Sequence, residues 1–187
     1  MFTVSKKKKR TCSTRPFLIL IFLIGSLGIT NAQKISKYFT SSMQSNGVLY
    51  FIEPKQKFKN NKGDCNLFYD LTYLTTNDTV TLNFTYSDKE IREIDSIGLI
   101  LDNRTVSSRT KKIFIESKMS KWKHRYSSQF LFDDLDLFFK QQSSKPIFIK
   151  FTENSFLLKT RKRKWDKQSK ILSKILFMIK VNKKTSP

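Results

Sequence analysis

The sequence predicts a mainly β protein: an antiparallel β-sandwich or open barrel with one short helix, preceded by a signal peptide and followed by a basic amphipathic helix. Three observations carry that expectation. Short runs of period-two apolar alternation recur between Gly47 and Leu158. They are rich in β-branched and aromatic residues, which suit a half-buried pleated surface. Helical periodicity is confined to two stretches, one inside this region and one after it. The chain has 187 residues, 39% of them hydrophobic and 13% aromatic. That length fits one domain with extensions, and that composition supports a packed core rather than disorder.

Residues 1–32 read as an export signal. Lys6 to Arg10 and Arg15 form a basic head without acids, followed by "FLILIFLIGSLGI", Phe17 to Ile29. These thirteen apolar or small residues suit a signal-peptide core of about 7–15 residues. They fall short of the roughly 20 that span a bilayer. Ala32 and Thr30 are small at −1 and −3, so cleavage is expected between Ala32 and Gln33, giving a periplasmic or extracellular protein. An uncleaved anchor is the alternative. Cys12 precedes the apolar run, which excludes a lipoprotein signal. Cleavage leaves Cys65 as the single cysteine, so no internal disulfide is available and burial of the thiol is expected.

Residues 33–46 are polar and read as a flexible lead-in to a β-rich domain over 47–158. "GVLYFIEP" predicts a strand buried on both faces and ended by Pro54. Lys55 to Asp64 reads as a loop. Asn66 to Tyr86 carries the clearest pattern: Leu67, Tyr69, Leu71 and Tyr73 alternate, Thr75 to Asp78 turn, then Val80, Leu82, Phe84 and Tyr86 alternate again. That is an antiparallel hairpin. "SDKEIREID" is a loop or short helix, Ser96 to Asp102 a strand, and Asn103 to Arg109 a turn. Lys111 to Ser117 and His124 to Phe132 are further strands. Lys121, Lys123 and Arg125 should share one face opposite Trp122 and His124, on an edge strand kept from aggregating by its lysines. Asp133 to Gln141 predicts a helix capped by Asp133 or Asp134, with Leu135, Phe138 and Phe139 facing the core. "PIFIKF" and "SFLLK" flank a turn at Thr152 to Ser155 and make a second hairpin.

The formal charge is +21. The leader carries +6, the tail over 159–187 carries +10, and the body between them only +5. Most of the basic excess therefore sits at the ends. With 28 Lys against 8 Arg and a single alanine, Ala32, the composition also bears the mark of an AT-rich gene, so part of the excess is attributable to codon drift. The tail contains Arg161, Lys162, Arg163, Lys164, Trp165, Lys170 and Lys174, the candidate contacts to an anionic surface. On a helical wheel Ile171, Leu172, Ile175, Leu176, Met178 and Ile179 share one arc, with Phe177 and Val181 outside it. The expected form is a separable basic amphipathic helix, too short to span a bilayer.

Chemistry-bearing residues are few. One histidine and one mature cysteine exclude a four-ligand structural zinc site. No nucleophile elbow or phosphate-cradling glycine loop occurs. Asp133, Asp134 and Asp136 lack the other ligands of a calcium loop. Asp70, among aromatics, is the carboxylate with the most suggestive surroundings. The sequons at Asn77, Asn83 and Asn103 are no more than this composition predicts. No catalytic residue, metal or cofactor is implied.

Ala32–Gln33, "GVLYFIEPKQKF" and "YDLTYLTTNDTVTLNFTY" resemble, over roughly Gly47 to Phe156, small exported β-rich proteins of Bacteroidota-type bacteria. The resemblance implies a cell-envelope location and brings no catalytic residues. The expected function is a non-enzymatic binding or structural domain of the envelope. Its expected partner is an envelope protein or an anionic membrane surface; nucleic acid is disfavoured by export, and no small-molecule ligand is implied. A carboxylate-dependent hydrolase and a protein held at the membrane surface by the C-terminal helix are the alternatives.

Overall fold

The computed structural model describes residues 35–60, 65–102, 104–141, 147–151 and 155–185. The expected signal peptide, Asn103 and residues 152–154 of the last turn lie outside them. Lys37–Pro187 forms one compact unit. Its strands are β1 (Phe39–Gln44), β2 (Gly47–Ile52), β3 (Lys57–Lys59), β4 (Asn66–Leu74), β5 (Thr79–Asp88), β6 (Ile94–Ile100), β7 (Thr105–Lys118), β8 (Lys121–Leu131), β9 (Ile147–Phe151) and β10 (Ser155–Leu158). The helices are α1 (Phe132–Lys140) and α2 (Lys162–Thr185). All strand pairings are antiparallel, in one sheet ordered β1-β2-β4-β5-β8-β7-β6-β9-β10, with β3 paired to β4 off that path. A further antiparallel bridge joins Lys59 to Lys159: each N–H donates to the other's carbonyl, at 2.8 and 2.7 Å. It ties β3 to the chain leaving β10.

The predicted hairpins form. In β4–β5 Leu67, Tyr69, Leu71 and Tyr73 are buried with Val80, Leu82, Phe84 and Tyr86, in a register that sets Tyr69 opposite Phe84. In β8 His124 and Tyr126 are buried while Lys123 and Arg125 lie on the other face, as the alternation requires. The strand is not an edge, however: β5 pairs one side of it and β7 the other. Lysines there solvate the outer face of a central strand.

Five expectations are corrected. The lead-in is not loose chain, because Phe39 to Gln44 pair with β2. An edge strand is held by backbone bonds and needs no apolar face, so hydropathy gave no sign of it. β2 is buried on one face only: Tyr50 and Ile52 point in, while Phe51 is 42% exposed. The loop over 55–64 contains β3, and the turn over 103–109 is mostly the first half of β7. Finally, neither Asp133 nor Asp134 caps α1. Its N-cap is Leu131, without a side-chain cap; the Phe132 amide donates instead to the Asp78 carbonyl at 2.9 Å. Leu135, Phe138 and Phe139 do face the core.

The largest correction concerns the tail. α2 is no appendage. Trp165, Leu172, Ile175, Leu176 and Ile179 are fully buried, whereas Phe177 and Val181, the two residues off the apolar arc, are exposed. Trp165 meets Phe58 of β3 and Phe138 and Phe139 of α1, with ring centroids 5.9, 5.1 and 5.9 Å away. Its Nε1–H donates to the Gln141 carbonyl at 3.1 Å. The far end is tied down by Lys180 to Asp133 at 2.9 Å and Lys183 to Asp78 at 3.2 Å. Exposed pairs of this kind are screened by water and salt and contribute little. Burying the five apolar side chains is worth about 2 kcal/mol apiece. Apolar packing therefore holds the helix, and the ion pairs trim its position.

Two measurements follow. Trp165→Ala should lower unfolding stability by about 3–5 kcal/mol, and removing residues 160–187 should leave a chain without a cooperative urea transition; a separable tail would change neither. The β7–β8 loop is the pair Met119 and Ser120, both at positive φ, 52° and 59°, the backbone that two-residue hairpins take most readily as Asn-Gly. The double substitution Met119→Asn, Ser120→Gly should raise the urea midpoint by an amount equal to about 1 kcal/mol, with the slope of the transition unchanged.

Candidate anion-binding surface

Six of the seven residues picked out in the tail are solvent-facing: Arg161, Lys162, Arg163, Lys164, Lys170 and Lys174 are all exposed. Trp165 is the exception and is corrected here: fully buried, it cannot touch a surface and instead fixes the helix. With Trp165 turned inward at 100° per residue, its neighbours must face out.

The fold adds cations that tail periodicity could not supply. In β3, Phe58 is fully buried against Tyr69 and Trp165. Strand alternation then turns Lys57 and Lys59 to the opposite face. The bridge sets Lys59 directly across from Lys159, and the Gln56 amide donates to the Thr160 hydroxyl beside it. The result is a concavity of about 390 Å³ lined by Lys57, Lys59, Asn60, Lys159, Thr160, Arg161 and Lys164. Among the described residues its lining holds five cations and no carboxylate. Among the described residues none of these five is in an ion pair; Lys57 lies over the Phe68 ring, 5.3 Å from its centroid. On the other flank of α2 a groove of about 720 Å³ runs against α1, lined by Lys140, Lys162, Lys170 and Lys174 among others, with Asp166 its carboxylate. The period-two lysines of "KQKFK" were the available signal for β3.

The C-terminal half of α2 is electrostatically different. The Lys180 ammonium hydrogen-bonds Asp133, holding that carboxyl below its usual range and raising the lysine. Lys183 is likewise raised, first by its hydrogen bond to Asp78. These lysines are matched, and among the described residues those at the N-terminal end are in no ion pair.

The remaining chemistry-bearing groups are tied up. Asp70 accepts from Arg125 Nη2 at 2.5 Å and from Asn83 Nδ2 at 2.9 Å, so the strand carboxylate completes a cross-strand network on the outer face. Asp134 pairs with Arg104, and Asp136 with Lys140 at 2.6 Å. Among the described residues no three carboxylate, histidine or cysteine side chains gather as metal ligands. Cys65 is buried. A polar groove of about 690 Å³ beside β6 and β7 is lined by Glu93 and Lys112, which pair at 2.9 Å.

Compared with models of known protein families, with curated proteins and with solved structures, the chain matches none.

His124 is fully buried. Its Nε2 accepts from the Arg92 amide at 3.1 Å, so Nδ1 carries the hydrogen and faces the Tyr86 carbonyl at 3.4 Å. Burial holds its pKa below the ordinary histidine value, against a smaller opposing effect of that carbonyl. The unfolded chain then takes up a proton that the native chain refuses. His124 should stabilise the fold fully above about pH 6.5 and progressively less as pH falls through its depressed native value. Urea midpoints at pH 7.5 and 5.0 should differ for the native chain. The difference should shrink in His124→Gln, where no imidazole titrates.

Proposed function

We propose that the protein is an exported, non-enzymatic binding domain of the cell envelope that sits peripherally on an anionic membrane surface. Kinship with small exported proteins of Bacteroidota-type bacteria and cleavage after Ala32 belong to the same reading. The observation that carries it is the segregation of unmatched cations around the first half of α2. Among the described residues eight of them line the two concavities there, beside Lys140, which pairs with Asp136, and the carboxylate of Asp166.

The contact proposed is electrostatic. The apolar arc that would enter a bilayer packs against the protein's own core, so an inserted amphipathic helix is replaced by a basic face lying on headgroups. Among the described residues no helix is long and apolar enough to cross a membrane. An open barrel is the finer form we propose for the sheet; the Lys59–Lys159 bridge, which links β3 on β4 to the end of β10, supports it over a sandwich.

The chain from Gln33 onward contains the whole compact unit and is suited to a vesicle test. It should sediment with phosphatidylcholine–phosphatidylglycerol vesicles and not with phosphatidylcholine alone, and salt should release it. Near an anionic surface each basic residue is worth about 1 kcal/mol. Changing Arg161, Lys162, Arg163 and Lys164 together to glutamine should therefore weaken retention about a thousandfold. Equal retention on neutral vesicles, or none on anionic ones, would overturn the proposal.

A further inference from the structure

We infer that the concavity between β3, the end of β10 and the start of α2 is a binding site for a single phosphate group. The inference rests on reading the basic surface as anion-binding and goes further, by naming one point on it and the chemistry it takes.

Five cations reach this point from three separate elements, with no carboxylate in the lining among the described residues. The start of α2 adds to them. Arg161 is its N-cap: the Arg161 carbonyl accepts from the Trp165 amide at 2.9 Å. Helices favour Ser, Thr, Asp or Asn there, because a side-chain oxygen satisfies the first amides. A guanidinium has no acceptor to offer. The preceding Thr160 hydroxyl accepts from Gln56. The first turn contains no acid. Arg161 to Lys164 instead place four positive charges at the positive end of the helix, where cations are destabilising. For stability alone this arrangement is the wrong way round. An anion on the helix end would interact favourably with its positive pole and screen the cations at once.

Phosphate fits better than a carboxylate. It presents about two negative charges and three acceptor oxygens, where a carboxylate brings one charge. The volume of about 390 Å³ lies near the small end of ligand sites. It suits a headgroup or a small phosphomonoester and is too small for a dinucleotide. Lys59 and Lys159 are set opposite each other by the backbone bridge, so two of the cations stand on fixed backbone before any ligand arrives.

Titration calorimetry with inorganic phosphate, at ionic strength held constant with chloride, tests the site on the chain from Gln33. One phosphate should bind per chain. Lys59→Gln with Arg161→Gln should weaken it by at least about tenfold, the loss of charge-assisted contacts. Lys170→Gln with Lys174→Gln, in the other groove, should leave it within about twofold. No phosphate binding, or equal weakening by both pairs, would overturn the site. Soluble glycerol phosphate and phosphatidylglycerol vesicles separate the sources. If glycerol phosphate binds and displaces the chain from vesicles, the site takes the headgroup. If it binds without displacing the chain, the site takes free phosphate. Retention on vesicles without any binding of soluble phosphates would remove the site and leave the membrane reading intact; phosphate binding without vesicle retention would do the reverse.

Discussion

Burial of one indole organises this molecule. Trp165 inserts between β3 and α1, and no other side chain of α2 meets both through its ring. Phe58 anchors β3 on one side of it, and Phe138 and Phe139 anchor α1 on the other. The indole fixes the helical phase, which sends Leu172, Ile175, Leu176 and Ile179 inward on successive turns. The same phase leaves the basic residues of α2 nowhere to go but outward. Core packing and surface charge thus have one cause.

Charge is distributed with equal economy. Asp70, Asp78, Asp133, Asp134 and Asp136 each pair with a particular cation. Several of those cations, Arg104, Arg125 and Lys140, come from the body, and Lys180 and Lys183 come from the far end of α2. The positive residues around Arg161 are left without such partners among the described residues. An AT-rich gene explains many lysines. It does not explain why acids match them at one end of a helix and leave them unmatched at the other.

Much of the fold could be read from the chain because burial writes a period into sequence. The β4–β5 hairpin and the inward face of β8 alternate cleanly, since one face of each is core. α1 announced Leu135, Phe138 and Phe139 for the same reason. β1 and the first half of β7 left no such trace. Their residues are held by backbone pairing, to which side-chain hydropathy is blind. The tail was read correctly as a helix with a defined apolar arc, down to the exclusion of Phe177 and Val181. Periodicity says that an arc is buried, though, and cannot say against what. Two of the five cations of the concavity, Arg161 and Lys164, stand in the basic run that the sequence singles out. The other three, Lys57, Lys59 and Lys159, come together only through the pairing of strands distant in sequence.

That pairing has a thermodynamic consequence. Gln56 and Thr160 touch across 104 positions of chain. Joining ends so distant costs loop-closure entropy, which grows only slowly with length but must be met before the contact returns anything. A disulfide would lower that cost by restricting the unfolded chain, and here the lone buried thiol of Cys65 offers none within the described residues. A ligand bridging Lys59 and Lys159 would act in its place, favouring the closed chain by mass action in proportion to its concentration. Such a clasp is reversible, and it exists only once both ends of the domain have been made and brought together.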